Sequence, residues 1–371
     1  MRGIPPYELN NIVRRLSGQH DQRRLGRLAE RMIAINWEGE DIDLRSQLGL
    51  EAIRARVAAG EIERARALVP QLVSPFHLRS LLVDNRYRAL WGDLERWGGS
   101  RQERQWPLYL ADLQGRFEAS GDLEAARRYA DGLRLAGHYR TLVRTIAPLF
   151  ARPLDRARDY HLLWAAPALA DALSRLDRWD EIDAMFARAS RTWPLGSDAN
   201  AINVVGNGAR YRLFAGDAAG ALRALEAVRA DAERRRGEVS GNAMAALHIP
   251  LACALNELGR GHEAVESVAV VTGAGEPAYA ASLHICFNRL DAARAALIEG
   301  LAHESSRDDV LAWVQPADAV PMQSEYGRRM DARGQALRRD PELLAAVARY
   351  GRILPYPLSA GAPLEEPPPK P

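Results

Sequence analysis

The stretch Gly121-Asp122-Leu123-Glu124-Ala125-Ala126 decides the fold of this 371-residue chain. Glycine can take the positive φ that ends a helix, aspartate is a good first residue for the next helix, and the alanine stands five residues after the glycine. A small turn residue, a polar start and a small partner residue recur at Gly60 and Ala65, Gly121 and Ala126, Asp177 and Ile182, Gly216 and Ala221, Gly259 and Ala264, and Asn288 and Ala293. Such a recurrence predicts stacked helical hairpins.

The remaining pattern is helical throughout. Ala, Leu, Arg and Glu recur at three- and four-residue spacing, and alternating runs of β-branched residues are missing, so we predict an all-α protein. The intervals that follow Gly60 and Gly121 are longer than the others, and each is therefore expected to hold an additional, poorly matching hairpin.

Breaks in this pattern divide the chain into four parts. We predict N-terminal hairpins with an irregular segment over 1–100, the repeat array over 101–302 and capping helices over 303–352. Residues 353–371 are rich in proline, and we expect a disordered tail there.

Composition excludes several classes of protein. Lys370 is the only lysine, so neither a Schiff-base enzyme nor a phosphate-binding P-loop fits the folded body. No apolar run approaches the roughly 18 residues of a membrane span, and the N-terminus has no signal-peptide pattern. We therefore expect a cytoplasmic protein without a membrane span, or a periplasmic or secreted one if the start is processed or truncated.

Two cysteines, Cys253 and Cys286, stand in equivalent helices of successive hairpins. They are positioned to approach each other, but buried free cysteines are common as small apolar residues. We interpret them as packed thiols.

The unit from Trp164 to Pro194 carries a family resemblance. Its second helix places a large residue, Trp179, at its start, followed by Ile182, Phe186, Ala189 and the closing Pro194. This pattern resembles the tetratricopeptide repeat (TPR), and about two-thirds of the chain is similar to it in a degenerate form. The resemblance implies a right-handed α-solenoid whose first helices line a concave face that binds peptides or protein segments, and it implies no catalysis.

One polar stripe is the candidate binding surface. Asn203, Asn207 and Arg210 are spaced to lie on one face of a first helix, and Asp171 and Asn256 take similar positions in the flanking hairpins. Amide side chains can bond an extended backbone, and an arginine can bind a carboxylate through two hydrogen bonds. We predict a protein or peptide partner here. The structural alternative is a solvated face whose arginine pairs with a local carboxylate.

Other ligands fit the sequence less well. The net charge of +2 and the interleaving of arginines with acids argue against nucleic acid, and the run Glu233 to Arg236 suits a solvated helix end. The eight histidines form no metal-binding pair, and we expect no cofactor. Most of the tryptophans, among them Trp106 and Trp193, are expected in hairpin cores, although together they could form a sugar-stacking groove.

The sequence therefore predicts a non-enzymatic helical-repeat scaffold that binds a partner on its concave face. One alternative is the sensor or adaptor part of a bacterial signalling or transcription-regulatory system. The other is an α/α-barrel carbohydrate-active enzyme, which requires a closed toroid with paired carboxylates in its centre, for which Asp155, Asp159, Asp177 and Asp180 are the candidates.

Overall fold

The computed structural model describes residues 22–36 and 41–365. These residues form nineteen α-helices, and their β pairing is confined to an isolated bridge between Asp84 and Gly351, so the all-α prediction is confirmed. The first ten helices are α1 (Gln22–Ala34), α2 (Ile42–Ala58), α3 (Ile62–Leu68), α4 (Pro75–Val83), α5 (Trp91–Gly98), α6 (Gln105–Ser120), α7 (Leu123–Leu135), α8 (Tyr139–Ala151), α9 (Leu162–Arg175) and α10 (Trp179–Thr192). The others are α11 (Ala199–Ala215), α12 (Ala218–Arg234), α13 (Gly241–Glu257), α14 (Val265–Gly273), α15 (Pro277–Cys286), α16 (Leu290–Ala302), α17 (Glu304–Trp313), α18 (Glu325–Arg338) and α19 (Pro341–Tyr350).

Each of the six turn residues ends a helix as the sequence predicts. Their φ angles are all positive, from 56° at Asn288 to 98° at Gly216. At five of them the next residue donates its backbone N–H to a carbonyl five residues earlier, as Asp217 does to Arg212 at 3.0 Å, which is the Schellman ending of a helix. The small partner residues are all buried, at Ala65, Ala126, Ile182, Ala221, Ala264 and Ala293.

A seventh turn of the same kind lies at Gly137. Its φ is 74°, and Leu142, five residues later, is fully buried. The backbone N–H of His138 donates to the carbonyl of Leu133 at 2.9 Å, which repeats the Schellman ending. This turn joins α7 to α8 and supplies an additional hairpin in the interval after Gly121. The partner residue here is a leucine in place of alanine, which hid the repeat in the sequence.

The two ends of the helical array are joined. Leucines of α4 share one apolar core with α17 and α19, so Leu81 and Leu82 are buried in the same cluster as Val310, Leu343 and Val347. Helix α4 packs on α6 and also on α17. An open solenoid leaves its first and last hairpins apart, so the solenoid arrangement is not confirmed. The apolar faces of the two ends bury each other, and burial of that area stabilises the closed form.

The C-terminal part of the chain packs back on earlier helices. Helix α18 packs against α11, α15 and α16. Residues 351–365, which we call the C-terminal strap, then run back over the N-terminal helices. The backbone N–H of Arg352 donates to the carbonyl of Val83 at 2.8 Å, and the indole of Trp106 donates to the carbonyl of Leu358 at 3.2 Å.

The strap corrects the prediction of a disordered tail for residues 353–365. Leu354 and Gly361 are buried, and a Cβ added to Gly361 would lie 1.8 Å from the carbonyl oxygen of Arg101. The strap stays ordered because its carbonyls receive side-chain donors and because glycine lets the two backbones approach. Residues 366–371 of the predicted tail lie outside the described residues.

The interpretation of the cysteines as packed thiols is wrong. Cys253 of α13 and Cys286 of α15 form a disulfide, with their Cα atoms 5.6 Å apart. Equivalent positions in neighbouring hairpins bring the two side chains face to face, which is the geometry that a disulfide needs. None of the helices described here combines the length and the apolarity that crossing a bilayer requires.

Candidate binding groove

A groove of about 520 Å³ remains between α18 and the helices that α18 faces. We call it the central groove. Its walls come from α11, α13, α15, α17 and α18, and they are largely apolar and aromatic. Prominent lining residues are Leu213, Phe214, Ile249, Trp313, Tyr326 and Met330.

Helix α18 is fixed in place as one wall of the groove. At its start, the hydroxyl of Ser324 donates to the carbonyl of Phe214 at 2.5 Å, and the Tyr326 ring meets the Phe214 ring edge-on with centroids 5.7 Å apart. In its middle, Arg329 forms an ion pair with Glu257 at 2.7 Å. These contacts fix α18 against α11 and α13.

The disulfide and two hydrogen bonds fix the opposite wall. Cys253 and Cys286 both line the groove. The carbonyl of Cys286 accepts from the Asn256 amide at 3.1 Å and from the Arg333 guanidinium at 3.2 Å. One peptide oxygen thereby links α13, α15 and α18.

Three charged residues line the groove, and two of them are arginines. The Arg210 guanidinium lies 5.2 Å from the ring centroid of Tyr211 and forms no ion pair with a described residue. Arg338 donates its Nε–H to the carbonyl of Trp313 at 3.2 Å and lies 4.7 Å from the centroid of that tryptophan ring. Burial lowers the pKa of Arg338, and the charge of Asp331, the third of these residues, opposes that effect only in part.

The five predicted site residues do not form one site in the structure. Arg210 lines the groove, and Asn256 fixes its wall through Cys286. Asn203 and Asn207 are half-buried on α11, nearer its N-terminus than the stretch of that helix that lines the groove. Asp171 lies 3.6 Å from Arg175 in an ion pair on α9. Arg338 and Trp313 did not enter the predicted site, because their place in the same groove as Arg210 depends on the fold of the C-terminal helices.

Two of the four carboxylates considered for an α/α-barrel enzyme, Asp159 and Asp177, have side-chain partners. Asp159 is fully buried, and it forms ion pairs with Arg152 at 2.6 Å and Arg158 at 2.8 Å. Burial would raise the pKa of Asp159, but the hydrogen bonds from Arg158, the Asp155 backbone N–H and Arg152 outweigh it and lower the pKa to about 2. The Asp177 carboxylate accepts from Gln323 at 2.8 Å.

The tryptophans divide between core and surface. Trp106 and Trp193 are fully buried, as the core interpretation predicts. Trp164 is 41 % exposed on α9.

A larger cleft of about 880 Å³ lies beside the turn at Gly121. Its charged lining residues include Arg128 and Glu124, which pair at 3.1 Å, and Arg152 and Arg158, which both pair with Asp159. Hydrogen bonds from Arg127 lower the pKa of Glu124 to about 2, although burial opposes that shift. The arginines of this cleft are therefore engaged by the protein's own carboxylates.

Neither the grouping of metal-ligating side chains nor comparison with known proteins assigns a function to a site. Over residues 22–36 and 41–365, no three His, Cys, Asp or Glu side chains come together as a metal-binding group. In comparisons with known proteins, no protein-family model matches the chain, and no curated protein matches it significantly.

Proposed function

We propose that this chain is a non-enzymatic, TPR-like helical-repeat protein that binds a short segment of a partner protein in the central groove. The observation that carries the proposal is the groove itself, an apolar cavity of about 520 Å³ with arginines in its wall. Its volume falls within the range of about 300–1,000 Å³ that is usual for ligand sites, and a few polar groups in an apolar lining are typical of them.

The repeat character rests on the hairpins that form the walls. Trp179, Ile182, Phe186 and Ala189 are buried along α10, at the positions where the TPR pattern requires core residues. The helices α9, α11, α13 and α15 are the first helices of successive hairpins, which is the place of the binding face in the TPR family.

The groove suits a segment that needs little reorganisation of its host. Ser324, Arg329 and Arg333 fix α18 against the other walls, so binding would order few side chains of this chain. Affinity then depends on a small number of anchors, among which Arg210 and the aromatic side chains are the strongest by residue type.

Selection from a displayed library of short peptides tests the proposal. Arg210→Glu reverses a charge in the groove wall and should reduce the affinity of selected peptides at least about tenfold, because a hydrogen bond to a charged group is worth roughly 1.5–3 kcal/mol. Arg223→Glu, on the exposed side of α12, is the matched control and should leave the affinity unchanged. Far-UV circular dichroism should be the same for all three proteins.

A second pair of variants tests the cavity by volume. Ser282 lines the groove, so Ser282→Trp should fill it and block peptide binding, whereas Ser305→Trp on the exposed face of α17 should not. Peptides that bind Arg210→Glu and Ser282→Trp as tightly as they bind wild type would place the site elsewhere. Failure to select any peptide would reject the proposal.

A second candidate function, an α/α-barrel carbohydrate-active enzyme, is favoured by the closure of the array between α4 and α17. Asp131 of α7 is the carboxylate to test, because burial raises its pKa against the opposing charges of Arg134 and Arg127, the second of which lies 3.2 Å away in an ion pair. If the chain is a glycosidase, it releases reducing ends from a polysaccharide and Asp131→Asn loses that activity. A wild-type protein without activity on a polysaccharide panel would leave only the binding function.

A further inference from the structure

We propose that Arg338 is the carboxylate-binding residue of the central groove, so that the bound segment presents a carboxylate beside an apolar side chain. This inference rests on the proposed function and names the chemistry of the partner segment. A terminal carboxylate and an Asp or Glu side chain supply the same group, and the experiment below separates them.

Several N–H donors of the Arg338 guanidinium form no hydrogen bond with a described residue. Its Nε–H is bound to the carbonyl of Trp313, and neither terminal nitrogen donates to a described residue. Both terminal nitrogens belong to a side chain that lines the groove. A guanidinium offers five N–H donors in a planar fork that fits the two oxygens of a carboxylate.

Other arginines of α18 have protein partners. Arg329 pairs with Glu257 and Glu325, both at 2.7 Å. Arg333 donates to the carbonyls of Ile285 and Cys286. Arg338 lies on the same helix without a carboxylate partner among the described residues, so its position in the groove is not explained by an ion pair within the chain.

Trp313 orients the guanidinium. The Arg338 Cζ atom stands 4.7 Å from the Trp313 ring centroid, and the Nε–H bond to the Trp313 carbonyl adds a second restraint. A guanidinium held against an indole loses little freedom when it binds an anion, which favours recognition. The same indole gives an apolar surface next to the anion position.

The net positive charge of the groove lining also favours a negatively charged ligand. Arg210 and Arg338 carry two positive charges, and Asp331 is the one carboxylate in the lining. Burial also lowers the pKa of Arg338, so its charged form is disfavoured by desolvation. The charge of an anion beside it would offset that cost.

The experiment uses a groove-binding peptide in matched forms. One form has a free C-terminal carboxylate, one has a C-terminal amide, and one has each Asp or Glu replaced by Asn or Gln. Wild type should lose at least about tenfold in affinity for one neutralised form, as expected for a charged hydrogen-bonded contact. The form that loses affinity identifies the source of the carboxylate.

Two variants assign that loss to Arg338. Arg338→Gln should bind the carboxylate and the neutralised forms almost equally, and the exposed neighbour variant Arg339→Gln should behave as wild type. Arg338→Lys keeps the charge without the fork and should bind the carboxylate form with intermediate affinity. If Arg338→Gln does not fold, Arg338→Lys tests the inference. Binding of the carboxylate form by Arg338→Lys with wild-type affinity would overturn the inference.

The result that overturns the inference differs from the one that overturns the proposed function. If wild type binds all peptide forms equally, while Arg210→Glu and Ser282→Trp still lose binding, Arg338 does not hold a carboxylate and the groove remains the site. If wild type binds no peptide, both statements fail.

Discussion

The Arg54 guanidinium donates to the carboxylate of Asp308 at 2.6 Å, across 254 residues of chain. The same carboxylate accepts from Arg86 at 2.5 Å, so Asp308 of α17 holds two arginines of the N-terminal helices. This contact stands beside the apolar core that joins α4 to α17, and it links the two ends of the array.

Asp308→Asn should therefore loosen the closure. The change removes one carboxylate partner from each of two partly buried arginines, which keep Glu51 and Asp84 as partners, and we expect the free energy of unfolding to fall by about 1–3 kcal/mol. Glu304→Gln is the control, because Glu304 also binds Arg86, at 3.0 Å, but is 79 % exposed. That control should change stability by less than about 0.5 kcal/mol in urea unfolding. Equal effects of the two variants would contradict a structural role for Asp308.

Gly351→Ala should release the strap. An added Cβ would lie 2.1 Å from the carbonyl oxygen of Val83, where the strap meets α4. We expect a loss of about 2 kcal/mol or more, since neither backbone can move without breaking the Arg352 hydrogen bond. Gly237→Ala, with no atom near its added Cβ, is the control and should change stability little. Thermal unfolding measures the loss, and limited proteolysis should show earlier cleavage in the strap of the first variant only.

Reduction of the Cys253 to Cys286 disulfide should lower stability. The bond closes a loop across a sequence separation of 33 residues, for which loop entropy predicts about 3–4 kcal/mol. Wild type should melt at a lower temperature in dithiothreitol, and Cys253→Ser should melt at that lower temperature with or without it. Two titratable thiols in unfolded wild type without reductant would show that the disulfide does not form.

Asp159 should make stability depend on acid pH. Its folded-state pKa of about 2 lies below the ordinary value of 3.8, so folding favours the ionised form. The stabilisation is complete above about pH 5 and is lost as the pH falls through 4 towards 2. Because the side chain is fully buried, the difference corresponds to about 2 kcal/mol. Between pH 5 and pH 2 the wild-type free energy of unfolding should fall by that amount more than the value for Asp159→Asn. If the free energy of unfolding fell equally with pH in wild type and Asp159→Asn, the low pKa of Asp159 would be contradicted.

The turns were predictable because their chemistry is local. A residue with positive φ followed by a polar helix start and a small residue needs no distant partner, and all six anchors were identified from the sequence. The turn at Gly137 was not identified from the sequence; its partner position holds Leu142, whereas five of the six anchors have alanine there.

The closure and most of the groove could not be predicted because they depend on contacts between distant segments. No periodic signal connects Leu82 to Leu343, or the glycines of the strap to the carbonyls of Val83 and Arg101. Arg210 was identified from its helical spacing, whereas the place of Arg338 in the same groove follows only from the packing of α18 on α11 and α15. The cysteines occupy equivalent positions in the sequence, but that equivalence fits packed thiols as well as a disulfide.

The shared core of the two chain ends has a consequence for synthesis. A ribosome makes α4 long before α17 and α19, so Leu81 and Leu82 emerge without the residues that bury them. The middle hairpins need only neighbours and can fold as they appear, but the N-terminal helices must wait with an apolar face exposed. Long-range contacts of this kind slow folding and favour association with other chains in the meantime. We therefore expect the final step of folding to follow the synthesis of α19, and the newly made protein to depend on chaperones until α4 meets α17 and α19.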